Sequence, residues 1–328
     1  MSIRTSRRFF GVGTALLVFS GLAAPNAQSQ PYPAKPIRLV VPFPPAGATD
    51  ILSRELARQL SERLKQQVVV DNRPGAGGTL GSDLVAKSAA DGYTIQMATS
   101  STHAIGPQLN PNIPYNARAD FTPIAHVANS ANVLLIAPQV AAANVRELVT
   151  LLKANPGRFN YGSSGNGTIV HLTSELFKAM TGTFVVHIPY RGTALVIPDM
   201  MSGQIHLLFD NIASAMPHVK DNKLRAIGIT SAQRSALLPD VPPIADSVAG
   251  FESITWFGIF GPKGMSADIA SRLNTEVNAV LKSPDFIERL RTLGFEAAGG
   301  TPQDFAALVS RDSDKWGRLI KERRITAE

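Results

Sequence analysis

Ile37-Arg38-Leu39-Val40-Val41-Pro42-Phe43-Pro44-Pro45-Ala46-Gly47-Ala48-Thr49-Asp50 reads as a short buried strand, a stiff loop and the start of a helix. The run Ile37, Leu39, Val40 and Val41 suits a strand covered on both faces, as in a parallel sheet. Three prolines fix the loop, and Gly47 lets another group approach its backbone. Thr49 or Asp50 is placed to cap the helix that follows. A strand end facing a helix N-terminus aims backbone N–H groups at one spot, which suits an anion, although an ordinary βα turn has the same appearance.

The same alternation continues outward. Leu52, Leu56, Leu60 and Leu64 recur every four residues and give the helix one apolar stripe. Val68–Val70 and Tyr93–Thr99 read as further strands, with a helical stretch ending at Lys87 between them. Phe121 to Ala137 differs: it is long and β-rich, as expected of extended chain passing between two bodies. Val145–Ala154, Phe159–Tyr161, a helix carrying Leu172, Leu176 and Phe177, and strands near Val185–Ile188, Gln204–Phe209 and Leu224–Thr230 restart the alternation. Ile254 to Phe260 is a second extended run, followed by helices over Ser266–Leu281 and Phe286–Leu293. The predicted fold class is α/β with mostly parallel sheets. Residues 30–127 plus 254–328 form a discontinuous first domain, and residues 128–253 an inserted second one. Ligands in such folds sit at the carboxyl ends of strands, in the cleft.

Bulk properties narrow the function. The chain has 328 residues, enough for two domains, and a formal charge of +7. Residues 1–29 read as an export signal: Arg4, Arg7 and Arg8 form a basic start, Gly11 to Ala24 is apolar and small, and Ala27-Gln28-Ser29 offers small residues for cleavage. Ser6-Arg7-Arg8-Phe9-Phe10 leaves the Sec and twin-arginine routes both open. Removing those three arginines takes the charge from +7 to +4, with no clustering of Lys and Arg, so no nucleic-acid partner is expected. With no cysteine there is no disulfide, thiolate metal site or lipid anchor. A free periplasmic monomer is expected, with no membrane span.

Five further strand-end stretches are candidates for the chemistry. Gly75–Gly81 fails the dinucleotide fingerprint because Leu80 stands where the third glycine belongs, leaving a close-packed turn. Tyr161-Gly162-Ser163-Ser164-Gly165-Asn166-Gly167-Thr168 places hydroxyl, amide and backbone donors before a helix, either as an anion site or as a capped turn. A nucleophile elbow needs Gly-x-Ser-x-Gly. Ser163 fails it and Ser164 has Asn166 in place of glycine, so a serine hydrolase using Ser163 or Ser164 stays only as the alternative. Arg191, in Pro189-Tyr190-Arg191-Gly192-Thr193-Ala194, suits a ligand carboxylate or an inter-domain contact. Asp210 suits a ligand ammonium or hydroxyl, or a buried loop contact. Ser100-Ser101-Thr102-His103 completes the set. The six histidines show no metal-ligand spacing, and no metal or cofactor is expected. His103 and His171 fall near predicted cleft loops; His126, His187, His206 and His218 read as structural or surface residues.

Val41–Asp50, Asp71–Gly78, Tyr161–Gly167, Pro189–Gly192, Phe209–Asn211, Leu238-Pro239-Asp240-Val241-Pro242 and Trp256-Phe257-Gly258, in this order, resemble the Bug family. These are extracytoplasmic solute receptors of tripartite tricarboxylate transporters. The resemblance implies a two-domain, type II-like Venus flytrap that is not an enzyme and closes on a small carboxylate for uptake or sensing. Its partner would be a membrane transporter of that type or a sensor protein. Carried over residue by residue, it implies ligand-binding roles for Gly47, Ala48, Thr49 and Asp50, for Ser100 and Thr102, and for Ser163, Ser164, Asn166 and Gly167. It implies the same for Arg191, Gly192, Thr193, Ala194 and Asp210. Two positions depart from the family pattern. Ala46 replaces a frequent glycine, and Leu195-Val196 replaces smaller residues, which is expected to narrow the pocket or favour an apolar ligand.

Overall fold

The computed structural model describes residues 32–326, with residues 1–3 and 5; the export-signal reading of residues 1–29 lies almost wholly outside them. In chain order, β1 (Ile37–Val41), α1 (Ala48–Leu64), β2 (Val68–Asn72), α2 (Thr79–Ala86) and β3 (Thr94–Thr99) form the first alternating set. A π-helical turn over Ser101–Ile105 leads into α3 (Gly106–Leu109), and β4 (Phe121–Ile136) follows. The second set is α4 (Val145–Ala154), β5 (Asn160–Ser163), α5 (Ile169–Thr181), β6 (Val186–Pro189), α6 (Ile197–Ser202), β7 (Leu207–Asn211), α7 (Ile212–Lys220) and β8 (Arg225–Ile229). The chain ends with β9 (Ile254–Pro262), α8 (Ala267–Leu281), α9 (Pro284–Thr292), β10 (Glu296–Ala297) and α10 (Pro302–Arg323).

The strands make two sheets that share β4. In the first, β2-β1-β3 are parallel and β9 and β4 follow antiparallel. In the second, β6-β5-β7 are parallel, with β4 antiparallel to both β7 and β8. Phe121 to Ala131 of β4 pair with β9, whereas Asn132 to Ile136 pair with β7. One 16-residue strand thus carries the chain from sheet to sheet. The long β-type run in the sequence has this cause: each half of β4 is buried in a different sheet.

Two hydrophobic clusters fill the fold, and the second reaches across both sheets, taking in Val40, Ala98 and Phe260 of the first. Leu52, Leu56 and Leu60 of α1 are fully buried against β1, with α8 and α9 on the same side. Each such leucine contributes roughly 1.5–3 kcal/mol relative to solvent exposure. The second core gathers around β4, β7 and α5, including Phe177, Phe209 and Phe251. Helix α10 lies beyond the segments assigned from the sequence. Its start is nonetheless written in Thr301-Pro302-Gln303-Asp304: Thr301 Oγ1 accepts from the Asp304 N–H, and Asp304 accepts in return from the Thr301 N–H. The two-residue β10 has no sequence signal, because it exists only through its bonds to β4.

Candidate functional site

The first loop is built by Asp50. Gly47, not Thr49 or Asp50, is the N-cap of α1, and no side chain caps it. The expected cap is displaced by one turn because Asp50 reaches back past it: Asp50 Oδ2 accepts from the Ala46 N–H at 3.0 Å and from Arg54 Nε at 2.9 Å. Asn72 donates to Asp50 Oδ1 and to the Phe43 carbonyl, both at 3.0 Å, tying the loop to the end of β2. Burial alone would raise the Asp50 carboxyl, but Arg54, Ala46 and Asn72 outweigh it and hold the group below the usual carboxylate range. Ala46, at the position of the frequent glycine, sits at φ 67°, in the left-handed region.

This loop forms one wall of a cavity of about 50 Å³. Phe43, Pro44, Pro45, Gly47, Ala48 and Thr49 line it from the first half. Thr99 and Ser101, after β3, add hydroxyls. From the second half come Ser164, the start of α5 at Ile169 and Val170, and the segment Gly192-Thr193-Ala194. Asp210, Asn211, Thr255 and Phe257 complete it, where β7 and β9 flank β4. Asn211 Nδ2 donates to Asn132 Oδ1 at 2.9 Å and to Thr255 Oγ1 at 3.0 Å, a polar knot at the point where β4 changes sheets.

The electrostatics favour an anion without a cationic side chain. The N-termini of two helices, α1 of 17 residues and α5 of 13, open onto the cavity. Their first-turn N–H groups lack intrahelical partners and carry the positive end of the helix dipole. The Ile169 N–H is already used, donating to Ser101 Oγ at 2.9 Å, and this bond joins the two halves across the cavity. Among the described residues, Asp210 is the one ionisable side chain in the lining. Burial pushes its carboxyl up to about 6, although the hydroxyls of Ser214 and Thr193 and the Asn211 N–H favour the ionised form.

Of the residues expected to bind ligand, Gly47, Ala48, Thr49, Ser164, Gly192, Thr193, Ala194 and Asp210 line this cavity. Asn166, Gly167 and Arg191 instead line a neighbouring chamber of about 290 Å³, which shares Phe43 and Ser164 with the first and is walled by Gly75, Gly77 and Gly78. Four residues line neither. Asp50 is occupied with its own loop. Ser100 is fully buried. The Thr102 hydroxyl is spent on the Thr99 backbone, accepting from its N–H and donating to its carbonyl, both at 3.1 Å. Ser163 is fully buried, its hydroxyl accepting from the Gly165 N–H at 3.1 Å and meeting His187 Nε2 at 2.6 Å.

A hydroxyl so close to an imidazole has the spacing of an activated nucleophile. Burial removes that reading for Ser163, and among the described residues no histidine lines the cavity beside Ser164. The Ser163–His187 pair instead braces the Ser164–Thr168 loop. His187 is stacked on His171 at 4.2 Å and on Tyr161 at 4.7 Å. Burial pushes His187 down to about 3 and His171 to about 4, so both rings are neutral. His103 is likewise buried, stacked on Phe260 at 4.3 Å and away from the cavity. Leu195 and Val196 do not narrow the pocket: Leu195 is 54 % exposed, and Val196 packs in the core against Gly162.

Ser101, Asn211 and Phe257 were within reach of sequence reading, since Ser101 and Asn211 belong to strand-end motifs and Phe257 to the Trp256-Phe257-Gly258 motif. Thr255, Ile169 and Val170 carry no local signal. Thr255 enters because β9 lies beside β4, and Ile169 and Val170 enter because α5 begins at the cavity wall.

Residues 52–325 match the model of the tripartite tricarboxylate transporter family receptor. BugT of Bordetella pertussis is 35% identical over 317 residues, covering 96% of this chain and 97% of BugT. The R. palustris protein Rpa4515, solved with adipate, is 35% identical and superposes with a TM-score of 0.88 over 90% of this chain and 99% of its own. MatC of Rhodopseudomonas palustris, solved with bound malate, is 28% identical with a TM-score of 0.83, over 88% and 100%. The α/β architecture, with its two sheets joined through β4, is that of the two-domain solute-binding proteins, and the serine hydrolase alternative finds no support among these relatives. By the match over most of its length and by these relatives, the chain belongs to the tripartite tricarboxylate transporter receptor family.

Proposed function

We propose that this chain is an exported, non-enzymatic periplasmic receptor that captures a small carboxylate between two lobes. The carrying observation is the cavity into which the N-termini of α1 and α5 both open, one from each half. The carboxylate is held there by backbone N–H groups and by the hydroxyls of Thr49, Ser164 and Thr193, with the 43–47 loop as a rigid wall. Ligand chain that outgrows the first cavity extends toward Arg191 through the adjoining chamber. Adipate and malate, bound by relatives, are compatible with that division.

The lobes are residues 30–127 with 254–328, and residues 128–253. They open and close about the two crossings that β4 and the segment before β9 provide, and the ligand favours the closed state because it contacts both. A membrane component of the tripartite tricarboxylate type, or a sensor, receives the loaded form.

Thermal-shift screening of verified ligand-free protein against mono-, di- and tricarboxylates tests this. A ligand at a hundred times its dissociation constant should stabilise by about 2.7 kcal/mol, a rise of several degrees in Tm. A folded, ligand-free protein whose Tm no carboxylate moves would refute the proposal.

A further inference from the structure

Asp210 has no place in a simple anion site. It is 3 % exposed, it lines the cavity, and no Lys, Arg or His among the described residues shares that lining. The groups that face it are neutral on every side. Its own strand contributes the Asn211 N–H, α7 contributes Ser214, and the segment after β6 contributes Thr193. Its partner across the ladder on β4 is Val133, and the opposite wall presents Thr49 and the α1 N-terminus. The acid carried by α1, Asp50, is outside the lining and is compensated by Arg54 at 2.9 Å. In a cavity of about 50 Å³ an arriving carboxylate lies within a few ångströms of Asp210. Two carboxylates that close cannot both remain ionised without a cation between them.

We propose that Asp210 couples ligand capture to proton uptake, one proton from solvent settling on its carboxylate as an unsubstituted carboxylate ligand enters. The proposal rests on the receptor reading above. The balance is simple: ionised Asp210, one bulk proton and one ligand anion give a protonated Asp210 beside a bound anion. A carboxylate only accepts hydrogen bonds, whereas the acid form donates one, so the proton converts a repulsive neighbour into a donor. The position of the free group, raised to about 6 by burial, means that little further perturbation is needed to hold the proton at neutral pH. A ligand that brings its own ammonium group neutralises Asp210 directly and takes up no proton.

Isothermal titration calorimetry of the intact mature protein with adipate provides the test, in two buffers of different ionisation enthalpy at pH 7. Where adipate does not bind, any carboxylate that shifts Tm in the screen replaces it. The expected result is uptake of roughly half to one proton per ligand, with affinity falling by up to about tenfold per pH unit between pH 6 and 8. Asp210→Asn should bind without proton uptake, show a flat profile over the same range, and bind about ten- to a hundredfold tighter than the natural protein at pH 8. Binding with no proton uptake and no pH dependence overturns the proposal while leaving the receptor reading intact. Uptake that persists in Asp210→Asn places the proton elsewhere and overturns it too. Absence of binding by every carboxylate removes both readings together. The proton count on the natural protein stands alone if Asp210→Asn does not fold.

Discussion

At the scale of single residues, two side chains set the geometry of the first loop. Ala46 adopts φ 67°, where a Cβ crowds the following carbonyl oxygen at a cost of about 1–2 kcal/mol. Glycine carries no such cost and loses part of the gain to unfolded-state entropy. Ala46→Gly should therefore raise stability by about 1 kcal/mol in urea titrations; an unchanged or lower midpoint would contradict the strain. Asp50 gathers an N–H, a guanidinium and an amide at one buried carboxylate. Asp50→Ala leaves the Ala46 N–H and the Asn72 amide without that acceptor. About 2 kcal/mol should be lost, with weaker ligand binding because the 43–47 wall is no longer fixed. Denaturation together with calorimetry on the same variant checks both effects, and equal stability with equal affinity would remove Asp50 from the loop's support.

Among the elements, the decisive contact is between loops that belong to different sheets. Gly192 follows β6 and Pro44 follows β1, yet a Cβ on Gly192 would stand 2.9 Å from Pro44 Cγ and 3.1 Å from Cδ. The Gly192 backbone is extended and any residue can adopt it, so the only obstacle is this approach. Gly192→Ala should lower ligand affinity about tenfold or more, equal to about 1.4 kcal/mol, with little change in the Tm of the ligand-free protein. Full affinity in that variant would show that the two loops need not meet. The same juxtaposition explains what the sequence left open. Tyr161–Thr168 read as an anion site or as a capped turn, and the capped turn is what the fold shows directly. Thr168 Oγ1 accepts from the His171 N–H, while the first N–H groups of α5 reach toward Ser101 and the cavity. Ser163 was legible as a polar loop residue, but its pairing with His187, 24 positions away, depends on β5 lying beside β6.

Over the whole molecule, buried neutral histidines govern acid stability. His103 is pushed down to about 3, His187 to about 3 and His171 to about 4, all by burial. Their folded values lie below the unfolded value near 6.5, so the unfolded chain binds more protons as pH falls. The stability they contribute is whole above pH 6.5 and is lost progressively toward pH 4. Asp210 runs the opposite way: its raised value favours the folded state in acid, and that contribution is lost as pH rises from about 4 to 6. Among these four groups alone, three against one leave a net loss on acidification of up to about 3 kcal/mol per pH unit between 6 and 4. His103→Leu should make that limb about one proton shallower in denaturation measured across pH. An identical slope would mean that His103 is not the buried neutral ring its aromatic contacts describe.

What the sequence determined by itself was local. Periodicity placed α1 and α4, apolar runs placed the strands, and the prolines and glycines of 42–47 announced a stiff loop, because these depend on residues within a turn or two of one another. The motif order pointed to the family. Which residues line the cavity was decided only by the tertiary structure. A single strand is shared by two sheets, and this brings the loops after β1, β3, β6 and β7 to one place while turning Ser163, Thr102 and Asp50 into their supports. Pattern reading sees side chains along the chain; it does not see that the start of α5 at Ile169 and Val170 lines the cavity, or that Asp210 lines it with no cationic side chain beside it among the described residues. Those facts arise from burial and from the summed field of elements distant in sequence, and burial is a property of the folded molecule alone.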